Sequence, residues 1–451
     1  MRNSVFDLMC EEDLTNLKIQ YDWHTGTSCL YAAKEWDEDI DWTQYNKTFT
    51  AYHILTPSAH YYGTDDTRAL FRKHKIEAYL DQIIAIMASG RNLMEDFYYW
   101  KKEDVRFVSN IHSLRRGLNN RLDCVVMGAL RRHPREEDEI EMLVDGMNLG
   151  RAMAFKNFAG GLPMGGAKCT VQQDELDVNN LANIGFLAYA LDRTRDNAGP
   201  DMRMPTNMVH PMNQHFTLKF TGDPKGPLGE SGTPTAYGSF IASKEAARMV
   251  FGSPSWAGKT VAIMGLGAVG FPLAKHYLEE GAKLTVSDIS PKAIEKLLTL
   301  YPNHSIKVVP TDEIIYQDVD LLAPAAIGGL FSDDNLDKLR AKIIIGPGNN
   351  QIKASSPEEE IALARKLAAK GILFQVEWFH NVAGVMCAFE EYLHQEKASK
   401  EALYKKIDKI CGENTRTNLE EAKRLGITPT ERCYKVASEA IYDTKPAWHA
   451  V

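Results

Sequence analysis

Apolar residues first fall into a clear helical rhythm between Ile76 and Ala88 (IEAYLDQIIAIMA). The residues around that stretch, rich in Trp, Tyr, Asp and His, carry no readable period, so the first hundred positions predict little beyond this one helix. From about Glu136 the pattern sharpens. Glu139–Phe158 sets Ile140, Leu143, Val144, Met147, Leu149 and Met153 at mostly helical spacing. A glycine-rich stretch follows, Ala159-Gly-Gly-Leu-Pro-Met-Gly-Gly-Ala-Lys168, and then a second helix near Leu181–Leu191 with Leu181, Ile184, Leu187 and Leu191 on one face.

The segment from Thr221 to Pro254 is rich in Gly and Pro, most densely in its first half, and a domain boundary is placed at its start. Beyond it the rhythm changes to short apolar runs separated by helices. The runs are Thr260–Met264, Lys283–Ser287, Val319–Ala323, Ile343–Ile345 and Ile372–Val376, an alternation that predicts βαβ units and a mostly parallel sheet. One helix carries all its punctuation: Ser356 as cap, Pro357 in the first turn, Glu358, Glu359 and Glu360 at the positive end of the dipole, and Gly371 at the stop. The stretch Lys400–Tyr442 is helical and amphipathic.

A length of 451 residues exceeds one ordinary core, so an α/β chain of two domains is expected: residues 1–222, with the helices of 400–451 packing back on them, and a dinucleotide-binding Rossmann unit at 223–399. The 52 basic and 60 acidic residues give a formal charge of −8 with no long block of one sign, which disfavours nucleic acid or a membrane surface as partner. Seven dispersed cysteines without a CxxC pair read as reduced thiols, not as a disulfide framework or zinc site. The start, MRNSVFDLMCEEDLTN, has no apolar leader, and no apolar run is long enough to span a bilayer; a soluble cytoplasmic protein is expected.

A lone GxGxxG string is weak evidence, but Gly265-Leu266-Gly267-Ala268-Val269-Gly270 stands in full context. An apolar strand leads into Gly265, a helix follows through Phe271, Leu273, Ala274, Tyr277 and Leu278, and a second strand ends at Asp288. Gly265 suits the tight turn, Gly267 the approach of a pyrophosphate, and Gly270 the packing of helix on strand. Asp288, 18 residues beyond Gly270, stands where a carboxylate accepts hydrogen bonds from an adenosine ribose and repels a 2′-phosphate. The expected cofactor is NAD, with Lys292 nearby as the one opposing charge.

Lys156 and Lys168 lie twelve residues apart across the Gly/Pro turn. Lysine is ordinarily a solvated surface charge. Here Gly160, Gly161, Gly165 and Gly166 mark a backbone that bends or lies close to something, and a helix ending near Lys156 could aim both ammonium groups into one cleft. Two such groups, partly desolvated, would depress one pKa to give a base while the other stays charged and holds a carboxylate.

At this point the segment RAMAFKNFAGGLPMGGAK resembles the signature of the glutamate/leucine/phenylalanine/valine dehydrogenase family, in which a lysine, a Gly/Pro turn and a GGGK lysine have this spacing. Further segments agree in order: TAYG (Thr235–Gly238), GLGAVG, APAAIGG (Ala323–Gly329), GPGNNQ (Gly346–Gln351) and NVAGV (Asn381–Val385). The resemblance runs from about Met127 to Phe389. It implies two domains around a cleft, assembly as a homo-oligomer through the first, and NAD-dependent oxidative deamination of an L-amino acid to a 2-oxo acid and ammonium. It implies that Lys156 binds the substrate carboxylate with help from Asn381, and that Lys168 is the catalytic lysine that activates water. Thr235, Gly265, Gly267, Ala268, Val269, Gly270, Asp288, Ala326 and Asn349 would line the NAD site. Met127, Gly128, Val385 and Ala388 would border the substrate side chain. No metal is implied.

Three departures from the family pattern matter. Ala167 replaces a glycine before the catalytic lysine. The family's glutamate enzymes hold a side-chain carboxylate with the lysine of a K-G-G-L-R frame and a serine after NAGGV; here the frame is Met127-Gly128-Ala129-Leu130-Arg131, and Ala388 stands at the serine position. A second carboxylate would be left unpaired in that pocket at a cost of several kcal/mol, which favours an apolar or aromatic side chain. The family's proton-relay aspartate falls on Asp201 in the leucine-type spacing and on Met208 in the glutamate-type spacing, with His210 as the nearest substitute in the second case. Asp201 is taken as the relay. Met208 in that place would point to an altered substrate, such as an imine, amine or unusual amino acid, or to NAD binding without turnover.

Overall fold

A computed structural model describes residues 3–46, 48, 51–114, 123–354 and 356–442. Residues 443–451 of the expected returning segment lie outside it. The chain builds two sheets with helices against them.

The first sheet contains β1 (Asn16–Asp22), β2 (Thr27–Lys34), β3 (His60–Tyr62), β4 (Met94–Trp100), β5 (Val105–Ser113), β6 (Val126–Met127), β7 (Leu130–His133), β8 (Gly165–Gln172) and β9 (Asp196–Asn197). Its order is β3-β2-β1-β4-β5-β8-β6-β9, with β7 also pairing with β8. It is antiparallel from β3 to β8, whereas β6, β7 and β9 join in parallel. The strands alternate faces, as their period of two requires. Phe97 and Tyr99 pack with Leu80, Ile83, Leu143 and Met147, while Tyr98 and Trp100 pack with Trp36, Trp42 and Phe186.

The helix behind this sheet, Glu139–Ala159, starts where Asp138 accepts the Ile140 N–H and buries Met142, Leu143 and Met147. Its fit to β8 explains one glycine of the glycine-rich stretch, and the end of β5 against Gly165 explains another. A Cβ on Gly166 would lie 2.1 Å from the backbone nitrogen of Ala154, so only glycine allows strand and helix to approach this closely. The stretch read as one bend is thus a turn through Gly161 (φ 66°) followed directly by the buried strand β8.

The second sheet contains β10 (Thr260–Met264), β11 (Lys283–Ser287), β12 (Ile306–Val308), β13 (Leu321–Pro324), β14 (Ile343–Ile344) and β15 (Leu373–Phe374). Every pairing is parallel, in the order β12-β11-β10-β13-β14-β15. Its inner strands β10, β13 and β14 are near-continuous apolar runs because both faces are covered, whereas the edge strand β12 is largely exposed. The helix Pro357–Ala369 begins as its sequence predicts, with Ser356 Oγ accepting the Glu359 N–H.

The Gly/Pro-rich segment is not an open connection throughout: Gly232–Phe251 is a helix with Pro234 in its first turn. The C-terminal helices reach both sheets' surroundings. Asn414–Leu425 packs on Gly232–Phe251, and Pro429–Tyr442 packs on Glu139–Ala159. Among the described residues no helix is long and apolar enough to cross a membrane.

Candidate active site

In a parallel sheet, ligands bind beyond the carboxyl ends of the strands. Five of the residues singled out in the sequence stand at that edge of the second sheet: Gly265 follows β10, Asp288 follows β11, Ala326 follows β13, Asn349 follows β14 and Asn381 follows β15. Gly265 turns at φ 97°, and Val269 precedes the helix Gly270–Glu279. Ala326 lies against Gly265, and the Ala268 carbonyl lies against Gly232, which opens the helix carrying Thr235. The carboxylate of Asp288 accepts the Leu266 N–H and the Ser290 N–H, each at 2.6 Å. Space is open above Gly267, where a Cβ would meet nothing within 4 Å. An open backbone at a helix N-terminus with an acid on the next strand fits a dinucleotide.

The first sheet supplies the amines. Lys156 projects from the last turn of Glu139–Ala159 and donates to Asn349 Oδ1 at 2.8 Å. Asn381 Nδ2 donates to the same oxygen at 2.9 Å and to the Pro347 carbonyl at 3.0 Å. The lysine on the helix behind the first sheet therefore meets the carboxyl edge of the second sheet. Lys168, only 4% exposed, lies within β8 and forms a short ion pair with Asp201, which follows β9. Met208 is fully buried in the apolar cluster with Ile184, Leu187 and Met212, and His210 is exposed. Of the three relay candidates, Asp201 is the one against Lys168.

Charge and burial tune these groups. Lys156 keeps some solvent contact but is surrounded by protein; burial first, opposed by the Glu377 carboxylate and reinforced by the charge of Lys168, brings its pKa down to about 8. Lys168 is also lowered, by burial above all, with its Asp201 partner opposing. The neighbouring charge that depresses Lys168 most is that of Arg131, so the repulsion assigned in the sequence to a second lysine comes here chiefly from a guanidinium. Burial pushes Asp201 up, yet Lys168 and Arg131 outweigh it and hold the carboxyl below its usual range.

No protein-family model matches the chain. Whole-chain comparison finds clear relatives. Leucine dehydrogenase of Thermoactinomyces intermedius is 31% identical over 313 residues, 68% of this chain and 80% of the relative. The chain belongs to the glutamate/leucine/phenylalanine/valine dehydrogenase family. It is an amino-acid dehydrogenase, an oxidoreductase acting on CH–NH2 donors. Phenylalanine dehydrogenase of Bacillus thermotolerans is 28% identical over 78% of this chain and 92% of its own length. Among solved structures, L-tryptophan dehydrogenase from Nostoc punctiforme aligns with a TM-score of 0.65 and 25% identity, covering 79% of this chain and 98% of that one. The two-domain α/β architecture expected from the sequence is thereby shown.

The remaining residues singled out in the sequence fall as follows. Met127 lies in β6, 1% exposed, and Gly128 follows it with its Cα against the Ala167 carbonyl. Val385 and Ala388 lie on the helix Ala383–His394 and pack against the same apolar cluster as Met127. Thr235 is adjacent to Gly384 of that helix, its hydroxyl turned back to the Ser231 carbonyl at 2.8 Å. Two charged residues escaped the sequence reading. Arg131 carried a signal, since it ends the Met127–Arg131 frame. Glu377 carried none: it is 3% exposed, accepts the Asn350 N–H at 2.8 Å, and supports Asn350 in a left-handed conformation (φ 51°) beside Asn349.

Proposed function

We propose that this amino-acid dehydrogenase uses NAD to deaminate an L-amino acid with an apolar or aromatic side chain, and in reverse aminates the 2-oxo acid. In this reading residues 1–222, with the helices of 400–451, hold the substrate and the contacts between copies of the chain, and residues 223–399 hold NAD. The observation that carries it is the hydrogen bond from Lys156 to Asn349, which brings a substrate-side amine to the strand ends where a dinucleotide binds.

The roles follow from position and charge. Lys156, with Asn381, binds the substrate carboxylate; Met127, Gly128, Val385 and Ala388 border a side-chain pocket, and none of these four offers a cation to a second carboxylate. Gly265, Gly267, Ala268, Val269 and Gly270 cradle the pyrophosphate, Asp288 takes the ribose, and Thr235, Ala326 and Asn349 border the nicotinamide end. Bound NAD supplies the hydride acceptor for the Cα hydrogen. Asp201 takes a proton from the substrate ammonium. Lys168, its pKa lowered, takes a proton from water as the water oxygen bonds to the imine carbon and returns it to the nitrogen; as the carbon–nitrogen bond breaks and the carbonyl forms, the remaining hydroxyl proton leaves with the nitrogen as ammonium. Assembly of copies through the first sheet is supported by β3, an edge strand that leaves backbone groups unpaired and Tyr61 half-exposed, and sedimentation measures it.

The test is NADH absorbance at alkaline pH across the L-amino acids, and in reverse with ammonium and 2-oxo acids. Turnover with leucine, valine, phenylalanine or tryptophan is expected, and NAD binding with turnover on none of them rejects the substrate class.

A further inference from the structure

We propose that Arg131 is a positioning residue for this reaction, holding Asp201 against Lys168 and tying that pair to the helix that carries Lys156. The inference rests on the roles given above to Lys168 and Asp201.

The geometry is a row of alternating charges. Arg131 Nε donates to Asp201 Oδ2 at 2.9 Å, the same oxygen that meets Lys168. Its Nη1 donates to both oxygens of Asp145, at 2.9 and 3.2 Å. Asp145 lies on Glu139–Ala159, about three turns before Lys156. Beyond it, His133 Nε2 stands 3.5 Å from Asp145 Oδ2, and His133 Nδ1 lies 2.9 Å from Glu137. Lys168, Asp201, Arg131, Asp145, His133 and Glu137 are thus linked in sequence.

β7 holds Asp201 by two routes. The Asp201 N–H donates to the carbonyl of Leu130 at 3.0 Å, and the next residue, Arg131, holds the carboxylate. A guanidinium serves both carboxylates because its donors are fixed in a planar fork; an ammonium has no such reach. Both donors converge on Oδ2, while Oδ1 of Asp201 accepts no hydrogen bond from a described residue and is left to take the substrate proton. The groups that face Lys168 are Asp201, Arg131, Cys169 and, more weakly, Lys156. Arg131 faces Asp201 and Asp145, and Asp145 faces His133. Removing the guanidinium removes a positive charge from beside Lys168, which then keeps its proton to a higher pH.

The experiment compares full-length Arg131→Gln, Arg131→Lys and Asp145→Asn with the parent, recording kcat, KM and the pH profile of kcat. Arg131→Gln is expected to lower kcat at least about tenfold with little change in KM, and to move the acid limb of the profile up by about half a pH unit. Arg131→Lys keeps the positive charge and leaves the limb in place, but lowers kcat because the fork is lost. Asp145→Asn, which loosens the far end without changing Arg131 itself, lowers kcat a few-fold and serves where Arg131→Gln fails to fold. A folded Arg131→Gln with an unmoved limb overturns the inference, as does an Asp145→Asn enzyme with unchanged kcat if Arg131→Gln cannot be made. Lys168→Ala separates this failure from that of the underlying reading: near-normal rates there overturn the role of Lys168, whereas an inactive Lys168→Ala beside a kinetically normal Arg131→Gln overturns only the part given to Arg131.

Discussion

Lys156, on the helix behind the first sheet, donates to Asn349, in the loop after β14 of the second, at 2.8 Å. Asn349 also receives Asn381, so one side-chain oxygen stands in for the carboxylate that both donors are proposed to hold. Substrate binding exchanges a neutral acceptor for a charged one, and a charged hydrogen bond contributes about 1.5–3 kcal/mol. Lys156→Ala is expected to raise KM for the amino acid roughly 10- to 100-fold with a smaller effect on kcat. The pH dependence has a definite sign. In the free enzyme Lys156 is lowered to about 8, so the charged form that binds carboxylate prevails below that pH and is lost above it. kcat/KM therefore falls as pH rises past about 8, and Lys156→Ala abolishes that limb; a limb that survives the substitution belongs to another group.

Gly267 and Gly270 separate binding from folding. A Cβ at Gly270 would lie 2.0 Å from the Gly265 carbonyl oxygen, so Gly270→Ala forces the loop apart. At Gly267 a Cβ meets only open space. Gly267→Ala should leave Tm within a degree or two, about the effect of a surface substitution, while weakening NAD at least about tenfold by crowding the pyrophosphate. Gly270→Ala should lower Tm by several degrees. Calorimetry and fluorescence titration with NAD measure the two effects, and normal NAD affinity in Gly267→Ala excludes the close approach.

Local signals were readable in the sequence and distant ones were not. β10 matches its apolar run to the residue because a parallel strand covered on both faces is built almost wholly of apolar side chains, and β11 matches as well, its buried Leu284 and Val286 alternating with Lys283 and Thr285. The helix at Pro357 was equally plain, since cap, proline and acids all lie within its own first turn. The first hundred residues were opaque because their order depends on remote partners: buried Glu139 accepts hydrogen bonds from Ser4 Oγ, the Val5 N–H and Tyr79. In the site, the spacing of Lys156 and Lys168 was visible, but no spacing rule joins Arg131 to Asp201 seventy positions later or Glu377 to the loop at Asn350.

The side-chain pocket offers a gain-of-function test. Met127 is buried and Ala388 packs against the same apolar cluster. Neither residue offers a glutamate side chain a partner, and an unpaired buried carboxylate costs several kcal/mol. Met127→Lys combined with Ala388→Ser supplies a cation and a hydroxyl. The double variant is expected to raise kcat/KM for glutamate at least about tenfold while lowering it for leucine and phenylalanine by a similar factor. An unchanged ratio between glutamate and leucine would show that these two positions do not border the side chain.

In the proposed function, cofactor choice turns on Asp288. Its carboxylate already accepts the N–H groups of Leu266 and Ser290, so it anchors the glycine loop in addition to the ribose role proposed for it. Asp288→Ala removes both functions, and weaker binding alone would not separate them. The preference does: a carboxylate repels the 2′-phosphate of NADP, and without it that repulsion is gone while Lys292, four residues on in the sequence, remains. The ratio of kcat/KM for NAD over NADP should fall at least about tenfold in Asp288→Ala, with most of the fall in the affinity for NAD. Asp288→Asn keeps an acceptor for the loop but loses the charge, so its ratio should fall too while its Tm stays close to the parent. A reduced Tm with an unchanged ratio in both variants would leave Asp288 as an anchor for the loop and assign the choice of cofactor elsewhere.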